Sequence, residues 1–265
     1  MSASIYIETV ESAEAHPVEL VMLHGWAMHG GLMKGLAEKL SGQFRVHLVD
    51  LPGHGASSIN DSSFNLGQLA EDVVSAVNKK TRGKAIWLGW SMGGLVAIKI
   101  AEQFPQLIHK LVLLSSTPAF VKHDDWSHAV EQQVFQNFAN DLKSDLKATI
   151  TRFLSLQVRG TDDSRQALKQ LREAVFAKDL ASEDTLQEGL MILEKTDLRK
   201  LFNEMEIPLL LLGGERDTLV PQAALQALAS SHNNVEVNII NRAGHAPFLS
   251  HPEQCAEAIT GFCHD

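Results

Sequence analysis

Nearly continuous apolar runs of strand length alternate along this chain with longer segments whose apolar residues recur at helical spacing. The apolar runs end in glycine, proline or polar turns, and they cover residues 18–23, 44–49, 85–90, 110–114, 208–212 and 235–240. Strands that are apolar on both faces are typical of a parallel sheet with helices packed on each side. Residues 5–10 alternate between apolar and polar side chains, which predicts an antiparallel edge strand. The pattern therefore predicts an α/β fold with a mostly parallel central sheet and helices on both faces.

The alternation of strands and helices stops between about residue 119 and residue 190. This stretch is long, follows a helical pattern and contains no obvious strand. An apolar helix face is predicted from the spacing of Leu142, Leu146, Ile150, Phe153, Leu154 and Leu156. We expect residues 119–190 to form a helical lid, inserted into a core made of residues 1–118 and 191–265. In sheets of this kind, sites form beyond the carboxyl ends of the strands.

Residues 89–93 have the sequence Gly-Trp-Ser-Met-Gly, and Gly94 follows them. They lie between a predicted buried strand, residues 85–88, and a predicted helix, residues 95–101. The pattern G-x-S-x-G between a strand and a helix is typical of a nucleophile elbow, in which a strained turn exposes a serine hydroxyl above the sheet. A glycine-rich turn with an ordinary serine matches the same letters, so the remaining motifs must decide.

A serine hydroxyl needs a base to act as a nucleophile, and that base is normally a histidine held by a carboxylate. In this fold the chain order is serine, then acid, then histidine. Asp217 follows the apolar run that ends at residue 212, and His245 follows the run that ends at residue 240. Each is ambiguous alone, because an aspartate after a strand often only caps a turn, Glu215 is a rival carboxylate, and a loop histidine is often only solvated. In this order, Ser91, Asp217 and His245 together predict a catalytic triad.

A tetrahedral intermediate needs backbone N–H donors for its oxyanion. The residue after the nucleophile is expected to supply one donor, which is the amide of Met92. The second is expected from the loop after the first apolar run, in which His24, Gly25 and Trp26 follow Leu23. We expect the N–H of Trp26 to be that donor, and its indole to pack in the core or to contact an acyl chain.

Charge and cysteine content limit the possible partners and the compartment. The net charge of −9 argues against non-specific binding of nucleic acid. The two cysteines, Cys255 and Cys263, are eight residues apart in a predicted C-terminal helix. That separation is too long for a disulfide, so we expect free thiols and a reducing compartment.

Targeting and cofactor signals are missing from the sequence. The first residues lack a basic segment followed by an apolar run, and no apolar stretch is long enough to span a membrane. We therefore expect a soluble cytoplasmic protein with no membrane partner. The histidines show no ligand spacing, and no glycine-rich dinucleotide motif follows the first strand, so we expect no metal site and no cofactor.

Taken as a set, the motifs resemble those of the α/β-hydrolase family over nearly the whole chain. They are residues 24–26 (His-Gly-Trp), 50–55 (Asp-Leu-Pro-Gly-His-Gly), 89–94 (Gly-Trp-Ser-Met-Gly-Gly) and 244–248 (Gly-His-Ala-Pro-Phe). The likeness extends into the predicted lid at residues 152–157 (Arg-Phe-Leu-Ser-Leu-Gln), where it is similar to the family's carboxylesterases of biotin synthesis. The resemblance implies the α/β-hydrolase fold and hydrolysis of the methyl ester of a pimeloyl chain held on acyl-carrier protein.

The resemblance also implies a substrate site, which would consist of Trp26, Ser91, Met92, Phe153, Leu154, Ser155, Leu156, Gln157 and His245. Phe153, Leu154 and Leu156 are apolar enough to hold a methylene chain. A lid helix that only packs on the core would have the same pattern. We expect the protein to act as a monomer.

Acyl-carrier proteins are acidic, and basic residues outnumber acidic ones in part of the predicted lid. Such a patch favours steering of an acidic partner, although a solvated helix face has the same charges. The resemblance points to Arg152, Arg165 and Lys169 as carrier contacts. A basic residue expected from the family is absent at Ala148, and the adjacent Lys147 could replace it.

Other functions fit the same motifs. A general short-chain carboxylesterase or a carbon–carbon bond hydrolase would use the same triad, and their substrate profiles would separate them. A small-molecule receptor that kept the hydrolase fold is the alternative outside the enzymes, because fold does not fix function. The intact set of Ser91, Asp217 and His245 favours an active enzyme.

Overall fold

The computed structural model describes residues 4–59, 64–162 and 164–264. Its strands are β1 Ile7–Val10, β2 Val18–Leu23, β3 Phe44–Val49, β4 Ala85–Trp90, β5 Ile108–Leu114, β6 Leu209–Gly214 and β7 Val235–Ile240. They form one sheet in the order β1-β3-β2-β4-β5-β6-β7. β1 pairs antiparallel with β3 at one edge, and the other described pairs are parallel. The predicted parallel sheet and its antiparallel edge strand are therefore confirmed.

Helices cover both faces of this sheet, as predicted. The described helices are α1 Lys34–Leu40, α2 Leu66–Val77, α3 Met92–Gln103, α4 Gln132–Ser144, α5 Leu146–Gln157, α6 Ser164–Phe176, α7 Glu183–Lys195, α8 Arg199–Asn203, α9 Gln222–Ser230, α10 Pro247–Ser250 and α11 Pro252–His264. α3 packs on β2, β4 and β5 and is covered by α2, while α1 packs on β3 and against α11. Within the described parts of the chain, none of these helices is both long and apolar enough to cross a membrane.

The segment between β5 and β6 differs from the rest of the chain. Its described residues form α4 to α8, with isolated bridges such as Ala119 to Asp197 in place of strands. α7 continues through residue 190, where the sequence pattern placed the return to the core. On the predicted apolar face, Leu142, Ile150, Phe153 and Leu154 are buried, and Leu146 and Leu156 are partly buried.

Side-chain caps fix where two of these helices begin. At α5, the Asp145 carboxylate accepts a hydrogen bond from the Ala148 amide at 2.9 Å. At α7, the Ser182 hydroxyl accepts from the Thr185 amide at 3.2 Å, and Glu183 lies in the first turn. Such caps satisfy amides that have no partner inside the helix, and acidic residues favour the positive end of the helix dipole. The two caps therefore fix the residues at which α5 and α7 begin.

The central strands are almost completely buried. In β2, Leu20 to Leu23 have no exposed surface, and every residue of β4 is buried. This apolar content forces helices onto both faces and leaves the strand ends as the open part of the sheet. The loops after β2, β3, β4, β6 and β7 all leave from the same edge, because these strands are parallel. The residues predicted to be functional lie in those loops.

Candidate active site

Ser91 occupies a strained turn between β4 and α3. Its backbone angles are φ 53° and ψ −121°, a region that residues with a side chain rarely adopt. Strain of this kind persists only where the surrounding structure enforces it. Here the Ser91 amide donates to the Leu114 carbonyl at 3.1 Å, and the Ser116 hydroxyl donates to the Ser91 carbonyl at 2.7 Å. The geometry is that of a nucleophile elbow.

Glycines around Ser91 allow three backbone segments to meet. A Cβ at Gly93 would lie 2.5 Å from the Leu23 carbonyl oxygen at the end of β2. A Cβ at Gly89 would overlap the backbone of α3, and one at Gly94 would overlap the side chain of Ser116. Any other residue at these positions would push α3 away from the sheet. The G-x-S-x-G-G sequence is thus explained by close approach and not by turn flexibility alone.

The structure brings Ser91, His245 and Asp217 together. His245 Nδ1 donates to Asp217 Oδ2 at 2.7 Å, which leaves Nε2 free to accept from Ser91 Oγ at 3.0 Å. The other carboxylate oxygen, Asp217 Oδ1, accepts from the amides of Leu219 and Val220 at 2.8 and 3.0 Å. These bonds orient the carboxylate, which in turn fixes the histidine tautomer that a serine nucleophile requires.

The rival carboxylate, Glu215, lies elsewhere. It is exposed, and its Oε2 accepts a hydrogen bond from the Arg242 amide at 2.8 Å. Glu215 and Asp217 are only two residues apart, yet the turn after β6 directs one to solvent and the other to His245. Glu215 therefore holds two loops together and does not contact the histidine.

Two backbone amides are available beside Ser91. The Met92 amide is the first of α3, and the Trp26 amide lies in the loop after β2. This loop lies against the elbow, since a Cβ at Gly25 would be 3.1 Å from Ser91 Cβ. Among the residues that the structure describes, neither amide donates to another protein group. Free amides next to a nucleophile, one of them at a helix start, suit a developing negative charge.

Some of the predicted substrate residues lie around the indole of Trp26 or beside His245. The Phe153 ring contacts it edge-on with centroids 4.7 Å apart, and the Gln157 carbonyl accepts from the Ala246 amide beside His245 at 3.2 Å. Leu154 is buried and Leu156 is partly buried. The Ser155 hydroxyl, in contrast, donates within its own helix to the Arg152 carbonyl at 2.6 Å.

Sequence reasoning missed two residues that pack around Trp26 and Phe153. Phe138 in α4 packs edge-on against Phe153, with ring centroids 5.6 Å apart. Gly189 in α7 lies directly on the indole, because a Cβ there would be 2.7 Å from Trp26 Cδ1. The same helix accepts a hydrogen bond from Trp26 Nε1 at the Leu186 carbonyl, at 2.8 Å. A lone glycine in a helix interior was the available signal for close packing of this kind.

The predicted docking residues lie in two different places. Arg165 and Lys169 in α6 line a groove of about 430 Å³ that also contains Lys147 and Arg172. Lys147 extends over the ring of Phe176. Arg152 is not part of this groove, because its guanidinium pairs with Asp141 and lies over the Phe138 ring.

His24 joins the loop after β2 to the loop after β3. Its Nε2 accepts from the Leu51 amide at 2.9 Å, and its Nδ1 donates to the Gly25 carbonyl at 2.8 Å. The ring has no exposed surface. Burial, together with the neighbouring ring of His54, lowers the pKa of His24 to about 3. Groups of three or more metal-ligating side chains are absent from the described residues.

A family model of the alpha/beta hydrolase fold matches residues 19–252. The chain belongs to the α/β-hydrolase family. A "Pimeloyl-[acyl-carrier protein] methyl ester esterase" of Xanthomonas oryzae pv. oryzae (strain MAFF 311018) is 39% identical over 247 residues, 93% of this chain and 95% of the relative. A protein of the same name from Xylella fastidiosa (strain M12) is 41% identical over 261 residues, 97% of this chain and 98% of the relative. The resemblance that the motifs indicated is confirmed.

Solved structures agree on the fold of this α/β hydrolase. An esterase (EaEST) from Exiguobacterium antarcticum superposes with a TM-score of 0.89 at 20% identity and covers 99% of this chain and 96% of its own. A bromoperoxidase from Bacillus anthracis gives the same TM-score, identity and coverage. At this identity the two structures bear on the fold alone.

The contact between Gly189 and Trp26 predicts opposite effects of alanine at two helical glycines. Alanine favours a helix over glycine by up to about 1 kcal/mol. Gly35 in α1 is exposed and has open space around it, so Gly35→Ala should raise the free energy of unfolding. Gly189→Ala should lower it, because the methyl group must displace the indole. Urea unfolding of both variants measures the difference, and a gain at Gly189 would contradict the contact.

The burial of neutral His24 predicts a loss of stability in acid. The unfolded histidine binds a proton near its ordinary pKa, whereas the folded one does so only at about 3. Its contribution to stability is therefore complete above the unfolded pKa and is lost as the pH falls from there towards 3. Between pH 6.5 and 4, the unfolding free energy of the wild type should fall more steeply with pH than that of His24→Asn. The difference in slope should correspond to about one additional proton taken up on unfolding. His109→Asn is the control, since its exposed ring meets water in both states, and a shared slope for all three proteins would refute the assignment.

Proposed function

We propose that this chain is a serine carboxylesterase that hydrolyses the methyl ester of a pimeloyl chain carried by acyl-carrier protein. The observation that carries the proposal is the hydrogen-bonded series Ser91–His245–Asp217 beside two free amides. Relatives about 40% identical over nearly the whole chain bear the name of this activity. The free pimeloyl carboxylate on the carrier and methanol would be the products.

In the acylation half, His245 Nε2 takes the proton of the Ser91 hydroxyl as Oγ attacks the ester carbonyl carbon. The carbonyl π bond opens and its oxygen becomes an oxyanion, which accepts from the Met92 and Trp26 amides. Asp217 stabilises the imidazolium that forms. The tetrahedral intermediate then collapses, the bond to the methoxy oxygen breaks, and His245 gives its proton to that oxygen so that methanol leaves.

Deacylation repeats these steps with water. His245 Nε2 takes a proton from water as the water oxygen attacks the acyl carbon of the Ser91 ester. The second tetrahedral intermediate uses the same two amides and collapses with cleavage of the bond to Ser91 Oγ. His245 returns the proton to Oγ, and the carboxylic acid leaves and loses its remaining proton to water, which gives the carboxylate. No redox partner is needed at any step.

The residues around Trp26 would hold the methylene chain. Trp26, Phe153, Leu154, Leu156 and Gln157 would form one wall, to which Phe138 adds a third aromatic side chain. Ser91 is only 4% exposed, so a substrate must be admitted past the residues that cover it. We assign this covering to a lid of residues 119–190 on a core of residues 1–118 and 191–265. Ser155 would then contact the chain through its backbone, because its hydroxyl is already bonded within α5.

The groove of Lys147, Arg165, Lys169 and Arg172 is the proposed contact for the acidic carrier. These four cations outnumber Glu173, which also lines the groove and pairs with Lys169. They are exposed on a chain whose net charge is −9, so they form a local positive field against a negative background. Lys147 occupies the position next to Ala148 and fills the role of the missing basic residue. Arg152 would join the contact only by leaving Asp141. We also propose that the enzyme acts as a cytoplasmic monomer, in keeping with its free thiols at Cys255 and Cys263.

Hydrolysis of the carrier-bound methyl ester, compared with p-nitrophenyl acetate, tests the proposed substrate. The wild type should prefer the carrier-bound ester, and Ser91→Ala should lower kcat by about 10⁴-fold or more on both substrates, because it lacks the nucleophile. Ser230→Ala, which removes an exposed hydroxyl in α9, is the matched control and should behave as wild type. Activity on the small ester alone would retain the triad and reject the carrier-bound substrate in favour of a general short-chain carboxylesterase.

Charge reversal tests the docking groove. Arg165→Glu with Lys169→Glu should raise KM for the carrier-bound ester by about tenfold through slower association, while turnover of p-nitrophenyl acetate stays unchanged. Lys79→Glu with Lys84→Glu makes the same change in net charge near the amino end of β4, away from the strand ends that carry Ser91. This control should leave both substrates unaffected. Equal losses in the two double variants would show a general charge effect and reject the groove.

A further inference from the structure

The two nitrogens of His24 have different partners and fixed roles. The Leu51 amide can only donate, so Nε2 must accept, and the proton of the neutral ring is therefore on Nδ1. Nδ1–H donates to the Gly25 carbonyl at 2.8 Å. The ring is completely buried, so water cannot replace either partner. This single tautomer is required by the contacts on both sides of the ring.

The Gly25 carbonyl and the Trp26 N–H belong to the same peptide group. Among the described residues every peptide bond is trans, so this carbonyl and this N–H point in opposite directions in one plane. The carbonyl accepts from His24 Nδ1 at 2.8 Å and, in a longer bond, from the Met28 amide at 3.3 Å. Bonds that hold the carbonyl on one side consequently aim the N–H on the other side, and the shorter of the two comes from His24. A hydrogen bond accepted at the oxygen of an amide also polarises the group and strengthens its N–H as a donor. The residue that follows, Ala27, has φ 60°, so the loop turns sharply just after this peptide.

We propose that His24 is a positioning residue of the oxyanion hole, which acts by orienting and polarising the Gly25–Trp26 peptide through Nδ1. The inference rests on the proposed function, in which the Trp26 N–H receives the oxyanion. His24 contacts neither the substrate nor Ser91 in this role. Its effect should appear in the transition state, when charge develops on the oxygen, and not in the binding of the neutral ester.

A purely structural role is the alternative, because the bond to the Leu51 amide clamps two loops. The two sides of the ring can be separated by substitution. The side-chain amide of asparagine reaches about as far as Nδ1, so His24→Asn keeps a donor for the Gly25 carbonyl and loses the acceptor for Leu51. Glutamine reaches about as far as Nε2, so His24→Gln keeps the acceptor and loses the donor. Both variants lose one clamp bond and should be destabilised to a similar extent.

The test compares kcat and KM for p-nitrophenyl acetate in these two variants, at a temperature where circular dichroism shows both to be folded. We expect His24→Gln to lose about tenfold to hundredfold in kcat with little change in KM, which is less than the loss of a whole oxyanion donor. His24→Asn should recover most of that loss. The inhibition constant of an alkyl boronic acid, which mimics the tetrahedral intermediate on Ser91, should rise in His24→Gln by the same factor as kcat falls. Equal kcat in the two variants, or a kcat that follows only their stability, would overturn the positioning role.

A measurement on the wild type covers the case in which a variant does not fold. Nitrogen-15 spectra of histidine-labelled protein should show His24 protonated on Nδ1 alone at pH 7, and the Trp26 amide proton should move downfield when the boronic acid binds. Protonation on Nε2, or an unmoved Trp26 amide, would overturn the inference while ester hydrolysis itself remained intact. A wild type that hydrolyses no ester and binds no boronic acid would instead overturn the proposed function and this inference with it.

Discussion

The site depends on one close approach between backbones, where the end of β2, the end of β4 and the start of α3 meet around Ser91. Positive φ at a residue with a side chain costs about 1–3 kcal/mol. The turn persists because Gly89, Gly93 and Gly94 let α3 lie on the sheet without a gap. The direction of the Ser91 hydroxyl, the position of the Met92 amide and the distance to the loop that contains Gly25 all follow from this packing. A single larger residue here would change the three together.

Parallel strands extend this constraint to loops that are far apart in the sequence. Ser91 and His245 are separated by 154 positions, yet their loops leave the same edge of one sheet, after β4 and β7. The loops are then joined directly, since the Arg216 amide donates to the Ala243 carbonyl at 2.8 Å and Trp90 Nε1 donates to the His245 carbonyl at 3.0 Å. The loop after β2 is held by a similar device, because the Gly30 amide donates to buried Asp50 at 2.7 Å. Hydrogen bonds between the loops thus fix the relative positions of these side chains, for which a misplacement of about 1 Å would already matter in a reaction.

The parts of the molecule that the sequence predicts are those that depend on local patterns. Apolar runs predict strands, and the glycine spacing around Ser91 predicts the elbow, because each is a property of neighbouring residues. The sequence does not show whether Asp217 or Glu215 contacts the histidine, because both carboxylates lie in one turn. Only the folded turn determines which of them reaches His245. Phe138 and Gly189 could not be assigned from α4 and α7 alone, because their roles depend on which face of a helix meets Trp26. Arg152 and Lys147 both lie on α5, but they have different neighbours that the sequence does not indicate. Arg152 pairs with Asp141 of α4, whereas Lys147 faces α6.

Trp26 connects the loop beside Ser91 to the helices between β5 and β6. Its backbone belongs to the loop that lies on Ser91, and its indole is bonded to Leu186 and covered by Gly189 of α7. Any displacement of α7 would break the 2.8 Å bond to the Leu186 carbonyl and leave a buried indole N–H without a partner, which costs about 1–3 kcal/mol. The packing of α7 and the backbone amide beside Ser91 are therefore linked through one residue. The close approach of the indole explains why a glycine, and no larger residue, occupies position 189 in a helix that would otherwise gain from alanine.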